Sequence, residues 1–174
     1  AAAVGSLKAP KHGGANRQVL AQFSLIKQTV RDWKDDDAVA DCVGRILRRE
    51  LGDGSGLIYG MGHAVYTLSD PRTVILRQSA RTLAAQRGML DELELMEAVE
   101  RVTPRVFAEI TGHEKVMCAN VDMYSGLIYQ MLDIPPDLFT PLFAVARITG
   151  WCAHRMEDIF TANCHSVTVN GNNF

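Results

Sequence analysis

The sequence lacks several features that mark common classes of protein. No apolar run approaches the roughly 20 residues that a helix needs to cross a bilayer, and the stretch Ala1–Val4 is too short and uncharged for a signal peptide. Eighteen basic and 20 acidic residues leave a net charge of −2, so no basic field favours nucleic acid or an acidic membrane surface. We therefore expect a cytoplasmic protein that binds neither nucleic acid nor a membrane.

Cysteine pairs and glycine-rich nucleotide motifs are also missing. The four cysteines have no Cys-x-x-Cys spacing, which argues against a zinc site and against a thioredoxin-type redox pair. They are Cys42, Cys118, Cys152 and Cys164. No Walker or dinucleotide-binding glycine pattern occurs. We expect reduced, mostly buried thiols and no bound metal.

Strand-like alternation of apolar and polar residues is nearly absent, whereas apolar residues recur at helical spacing along most of the chain. The pattern predicts an all-α fold. Helices are predicted at residues 15–33, 38–51, 71–87, for about ten residues around Leu93–Val99, at Pro104–Ile110, and at residues 120–132 and 142–160. The apolar richness of the last helix predicts deep burial. The tail Cys164–Phe174 is predicted to be disordered or β-prone.

The segment from Gly60 onward carries the most informative pattern in the chain. Glycine at positions 60 and 62 allows backbone angles that are closed to other residues and lets a ligand approach the main chain. His63 follows directly and is expected at the tip of the loop. The duller alternative is a tight turn with a structural histidine.

The end of the same segment predicts a helix start. Asp70 is placed as the N-cap and Pro71 as the first helical residue. Arg72 then falls in the first turn, where free N–H groups and the helix dipole already favour an anion. A guanidinium there can grip a carboxylate with two parallel hydrogen bonds, so the segment predicts an anion-handling active-site loop.

Three further segments match, in order, motifs that accompany this loop in one known family. They are Lys11–Asn16 with His12, Ala119–Gly126 with Asp122, and Phe143–Trp151 with Arg147. Together with the loop they resemble the signature of the citrate synthase family, from about Pro10 to about Asn163. The resemblance implies a multi-helical fold in which residues 1–12 end a large-domain segment and residues 13–128 form a small helical domain. Residues 129–163 would return to the large domain, and residues 164–174 form a divergent tail.

The resemblance also implies a reaction, the condensation of acetyl-CoA with oxaloacetate and water to give citrate and CoA. Asp122 would be the base that removes the methyl proton, and His12 would donate a hydrogen bond to the thioester oxygen. His63 would hydrogen-bond the ketone of oxaloacetate, while Arg72 and Arg147 would hold carboxylates. The residues expected at CoA are Leu57, Ile58, Gly60, Met61, Gly62 and Asn120. The resemblance implies no cofactor besides acetyl-CoA as substrate, and a homodimer in a longer protein of which this chain is an inactive C-terminal fragment.

Several alternatives remain open at the level of sequence. A 2-methylcitrate synthase using propionyl-CoA would employ the same histidines and aspartate, and a non-catalytic fragment could retain only an acyl-CoA or protein contact. His12, His63 and Asp122 could also form a site for iron with two histidines and one carboxylate. Two departures from the family pattern stand out, since the tail offers no match for a further substrate-binding arginine and Thr67 stands where some members carry a basic residue.

Overall fold

The computed structural model describes residues 14–63, 66, 69–113 and 117–170, and six α-helices account for most of them. The helices are α1 (Ala15–Thr29), α2 (Asp36–Leu47), α3 (Pro71–Arg87), α4 (Leu90–Thr111), α5 (Asp122–Met131) and α6 (Phe139–Asn170), with a 3-10 turn at Pro136–Leu138. No strand occurs in the described part of the chain, and the one isolated antiparallel bridge joins Met61 to Ala119. The predicted all-α class is confirmed.

Helix α5 is the centre of the bundle. It packs against α1 on one side and α3 on the other, while α2 packs on α4. Every residue from Met123 to Ile128 is buried. At Gly126 an added Cβ would lie 2.9 Å from Cγ of Leu20 and 3.1 Å from the carbonyl of Asn16, so glycine permits the close approach of α1. The short helix that carries Asp122 is therefore fixed by packing on several sides.

Local signals place the ends of α3 as the sequence predicts. The side chain of Asp70 accepts a hydrogen bond from the N–H of Arg72 at 3.0 Å, and Pro71 is the first helical residue. Gly88 ends the helix in the left-handed conformation, with φ of 68°. Arg72 consequently lies in the first turn, where the sequence put it.

Pro104 does not begin a new helix, and the prediction of two helices in this region is wrong. Helix α4 runs without interruption from Leu90 to Thr111 with Pro104 inside it. Proline removes one hydrogen bond of the helical ladder. Val102 and Val106 on either side of it are buried, and Gly44 of α2 lies against Val106, with an added Cβ 3.6 Å from its Cγ1. The packing of α2 on α4 outweighs the lost hydrogen bond.

Helix α6 departs most from the prediction. It begins at Phe139 rather than at residue 142, because the 3-10 turn leads straight into it and Pro141 is tolerated in a first turn. It extends to Asn170, so most of the tail predicted to be disordered or β-prone is helical. Its apolar side chains are largely exposed instead of deeply buried, because within the described residues it packs mainly on the 3-10 turn. None of the described helices has the length and apolarity to span a bilayer.

The cysteines partly follow the prediction. Cys42 and Cys118 are buried free thiols, whereas Cys152 is a free thiol exposed on α6. Burial raises the pKa of both the Cys42 and the Cys118 thiols, which keeps them protonated. The side chain of Cys164 lies outside the part of the chain whose side chains are described.

Candidate active site

Main-chain hydrogen bonds bring two distant segments together. The N–H of Gly62 donates to the carbonyl of Cys118 at 2.8 Å, and the N–H of Asn120 donates to the carbonyl of Gly60 at 2.8 Å. The side chain of Asn120 adds a third bond, from Nδ2 to the carbonyl of Gly62 at 2.9 Å. These three bonds, called here the loop tie, place the segment before His63 against the segment before Asp122.

Gly60 is the point of closest approach between the loop and α5. Its φ is +86°, and an added Cβ would lie 2.8 Å from Sδ and 2.9 Å from Cα of Met123. Gly62 also has a positive φ, of +89°, but an added Cβ would find only Met117 Cε at 4.0 Å. The sequence therefore predicts the glycine backbone angles correctly, and the structure adds that only position 60 has no room for a side chain.

The ring of His63 is held in one tautomer. Its Nδ1 accepts a hydrogen bond from the main-chain N–H of Tyr66 at 3.0 Å, so a neutral ring carries its proton on Nε2. Nε2 lies 3.4 Å from Nη2 of Arg72 and 3.8 Å from Oδ2 of Asp70. In the contact with Arg72, the protonated Nε2 and the Nη2 amine are both hydrogen-bond donors. The Nε2 proton is thus presented on the side where the arginine lies.

Arg72 forms a two-pronged pair with the carboxylate of Asp70. Nε donates to Oδ1 at 3.0 Å and Nη2 donates to Oδ2 at 2.8 Å. The hydrogen bonds from Arg72 hold the pKa of Asp70 below its usual value, although the carboxylate is buried. The Nη1 amine of Arg72 donates to no described residue. Sequence reasoning recognised Asp70 only as a helix cap and missed that it also anchors the arginine.

Asp122 is the first residue of α5, and its N–H donates to Oδ1 of Asn120 at 3.0 Å. The pKa of Arg72 is raised chiefly by its hydrogen bonds to Asp70, and the charges of Asp70, Tyr66 and Asp122 add to that effect. The charge of the Asp122 carboxylate thus stabilises the charged form of the Arg72 guanidinium. His63 and Arg72, both predicted from the loop that begins at Gly60, lie side by side, and Asp122, predicted from a separate motif, lies close enough for its charge to act on Arg72.

Two predicted site residues are not part of this cluster as described. Arg147 is exposed on α6, with its Cζ 5.0 Å from the ring centre of Phe143. The deep burial predicted for this helix therefore does not hold at residue 147 among the described residues. His12 lies outside the described residues, as does Thr67.

The segment expected to meet CoA lies directly before the loop tie. Ile58 and Met61 are buried, whereas the side chain of Leu57 is largely exposed. The main chain of this segment is hydrogen-bonded by the buried side chain of Gln22, which sequence reasoning missed. A signal was present, since Gln22 interrupts the apolar face formed by Val19 and Phe23.

No group of three His, Cys, Asp or Glu side chains capable of holding a metal ion occurs among the described residues. Since His12 is not one of them, the iron-site alternative stays untested.

Comparison with known proteins adds independent findings. Residues 1–165 match the family model described as citrate synthase, C-terminal domain. The chain is 42% identical over 161 residues to a citrate synthase of Synechocystis sp., covering 91% of this chain and 36% of that protein. It is 36% identical over 156 residues to a 2-methylcitrate synthase of Shewanella oneidensis, covering 89% of this chain and 36% of the relative.

A solved structure is also similar, the ternary complex of carboxymethyl coenzyme A and oxaloacetate with citrate synthase from Thermoplasma acidophilum. The TM-score is 0.65 at 29% identity, covering 88% of this chain and 37% of that one. The chain thus spans little more than a third of the length of these relatives.

Proposed function

This chain belongs to the citrate synthase family, and from that premise we propose that it supplies the catalytic C-terminal part of an enzyme that condenses acetyl-CoA with oxaloacetate. Water then hydrolyses the thioester to release citrate and CoA. The observation that carries the proposal is the contact between His63 and Arg72, with Asp122 close enough for its charge to act on Arg72. Their positions depend on the loop tie and on the first turns of α3 and α5.

His63 acts on the ketone of oxaloacetate. Because Tyr66 occupies Nδ1, the proton on Nε2 is the one that can be donated to the ketone oxygen. As the new carbon–carbon bond forms, negative charge develops on that oxygen and the same proton neutralises it. The neighbouring guanidinium of Arg72 favours an anionic substrate beside the ring.

Arg72 binds a carboxylate of the substrate through the donors that Asp70 leaves available. Asp70 occupies Nε and one hydrogen of Nη2, so the bonds to Asp70 leave Nη1 unused. The first turn of α3 adds its helix dipole to the attraction for an anion. Fixing the carboxylate in this way orients the ketone for attack.

Asp122 is the base that takes a methyl proton from acetyl-CoA. A carboxylate with an ordinary pKa near 4 removes such a proton only if the thioester oxygen is stabilised as it becomes negative. The family resemblance gives that role to His12. Removing one oxyanion donor of this kind typically costs about 2.7–4 kcal/mol of barrier, which makes His12 indispensable in practice.

The main chain from Leu57 to Gly62 and the neighbouring Asn120 bind the adenine end of CoA. In support, the segment lies next to the proposed catalytic groups and the loop tie fixes it to the start of α5. Asn120 uses its side-chain amide within the tie, so it contributes to this site mainly by holding the loop.

The complete site requires more protein than this chain contains. The chain spans little more than a third of its relatives, and α6, which carries Arg147, packs mainly on the 3-10 turn among the described residues. We place Arg147 at a substrate carboxylate only when the rest of the enzyme, as a homodimer, closes around α6. The 174-residue chain alone should therefore make no citrate.

The substitution Asp122→Asn in the complete enzyme tests the proposal. It removes the base and keeps the size of the side chain, so kcat should fall by about 10²–10⁴-fold while the affinity for oxaloacetate stays nearly constant. Asp91→Asn is the matched control, because Asp91 is an exposed carboxylate on α4. Turnover of the Asp122→Asn enzyme close to that of the control would refute the assignment.

A 2-methylcitrate synthase is the second candidate, favoured by the similarity to the enzyme of Shewanella oneidensis. Comparing kcat/KM for acetyl-CoA and propionyl-CoA in the same enzyme decides between the two. Absence of both products from an enzyme that still binds acyl-CoA would instead indicate a non-catalytic member of the family.

A further inference from the structure

Gln22 is a polar residue on the buried face of α1. It is 7% exposed and lies among apolar residues of the core such as Val19, Phe23 and Ile26. A buried amide is costly unless its donor and acceptor are both satisfied. Its partners therefore indicate why an amide stands at this position.

Both ends of the amide are used on one short stretch of main chain. Nε2 donates to the carbonyl of Leu57 at 2.9 Å, and Oε1 accepts from the N–H of Tyr59 at 3.0 Å. A carbonyl only accepts and a main-chain N–H only donates, so this orientation of the amide is the one that satisfies both. Gln22 thus bonds residues two apart, as a neighbouring β-strand would.

The side chains of Ile58 and Tyr59 have other partners than Gln22. Ile58, between the two bonded residues, points into the core, and Tyr59 Oη donates to Asp53 at 2.6 Å. Among the described residues, no other side chain belonging to a helix hydrogen-bonds to the main chain of residues 57–59. Gln22 therefore supplies the side-chain hydrogen bonds that join this main chain to the described helices.

We propose that Gln22 is a positioning residue for acyl-CoA, which fixes the Leu57–Tyr59 main chain in the conformation that receives the adenine end. The inference rests on the proposed function. It separates two properties of the enzyme: Gln22 sets the KM for acyl-CoA, whereas His63 and Asp122 set the rate of condensation.

The first experiment measures the loop itself and does not depend on activity. Amide hydrogen exchange is followed at Tyr59 in the wild-type chain, in Q22M and in Q28M, where Gln28 is an exposed glutamine on the same helix. Exchange at Tyr59 should be at least about tenfold faster in Q22M alone, because only that variant loses the acceptor. The N–H of Asn120, bonded to Gly60, serves as an internal control. Equal protection of Tyr59 in Q22M and wild type would overturn the inference.

The second experiment uses the complete enzyme. Q22M should raise the KM for acetyl-CoA at least about fivefold, with smaller changes in kcat and in the KM for oxaloacetate, while Q28M behaves as wild type. A fall in kcat with an unchanged KM for acetyl-CoA would contradict a positioning role at this substrate.

Q22E adds a pH signature that a packing role would not produce. The ionised carboxylate has no proton for the Leu57 carbonyl and sets oxygen against oxygen, whereas the protonated acid restores the donor. Burial favours that neutral form. The KM of Q22E for acetyl-CoA, relative to wild type, should therefore fall as the pH is lowered from about 8 to about 6. A ratio independent of pH would overturn the assigned hydrogen bond.

These results also separate the inference from the function on which it rests. If the complete wild-type enzyme neither makes citrate nor binds acyl-CoA, the proposed function is wrong and the CoA assignment of Gln22 falls with it. If the wild type binds acyl-CoA and Q22M binds it equally well, the proposed function stands and the inference alone is wrong.

Discussion

Replacing Gly60 by alanine tests whether the close approach of the loop to α5 is needed for stability. The new methyl group would lie 2.8 Å from Sδ and 2.9 Å from Cα of Met123. The flexible thioether can rotate away from it, but Cα belongs to the backbone of a helix that is packed on both sides. The loop or the helix must move to admit the substitution.

The expected cost has two parts. A φ of +86° in a residue with a Cβ costs about 1–2 kcal/mol. Overpacking against a buried backbone typically adds about 1–3 kcal/mol. The combined loss is a large fraction of the roughly 5–15 kcal/mol that stabilises an ordinary domain.

Gly62→Ala separates the two parts. Its φ is +89°, almost the same, yet its nearest neighbour would be Met117 Cε at 4.0 Å. This variant should lose only the backbone part, about 1–2 kcal/mol. Urea unfolding followed by far-UV circular dichroism measures both variants, with equal m-values as the condition for comparison. If Gly60→Ala costs no more than Gly62→Ala, the close contact with Met123 has no energetic weight and the reasoning fails.

Three further predictions concern the cap of α2 and two buried ionisable groups. Asp35→Ala removes the side chain that caps α2 and should lower the free energy of unfolding in urea by about 0.5–2 kcal/mol, whereas an unchanged value would mean that the cap is dispensable. The hydrogen bonds from Arg72 lower the pKa of Asp70 in the folded protein, so the stabilisation they give is complete above the unfolded pKa near 3.9 and is lost as the pH falls through the lower pKa of the folded state. The difference in unfolding free energy between wild type and Asp70→Asn should therefore shrink on acidification. A difference that does not change with pH would contradict this. Burial and the hydrogen bond to Glu100 raise the pKa of Tyr124, so the contribution of its neutral hydroxyl to the free energy of unfolding is complete below about pH 10 and is lost as the pH rises. The tyrosinate absorbance of Tyr124 should appear only when the protein unfolds. Ionisation of Tyr124 in the folded protein would refute this prediction.

The parts of the fold that sequence predicts are those decided by neighbouring residues. Asp70, Pro71 and Gly88 act within a turn or two of themselves, so the limits of α3 could be predicted. Pro104 misled the prediction because its local effect is opposed by the packing of α4 on α2. The burial predicted for α6 is wrong for a different reason. An apolar pattern predicts which face of a helix packs against a partner, but it does not predict whether this chain contains that partner.

The site shows the same division. The sequence identified His63, Arg72 and Asp122 from motifs, whereas no side-chain pattern reveals the main-chain bonds that place the segment before His63 against the segment before Asp122. The anchoring of Arg72 by Asp70 involves residues only two apart, yet nothing in the sequence distinguishes it from an ordinary cap. The contacts that the sequence did not reveal therefore include both main-chain bonds across the fold and one local side-chain pair.

The loop tie has a consequence for how such a site can change during evolution. Two of its three hydrogen bonds join peptide groups, and among single substitutions only proline at 62 or 120 would delete either of those two donors, whereas the third bond depends on the side chain of Asn120. Main-chain hydrogen bonds thus hold much of the arrangement of the site, whereas the reactive groups at 63, 72 and 122 are side chains. A mutation can replace one of these side chains without breaking the main-chain bonds. New substrate preferences can therefore arise while the loop and the start of α5 keep their relative position.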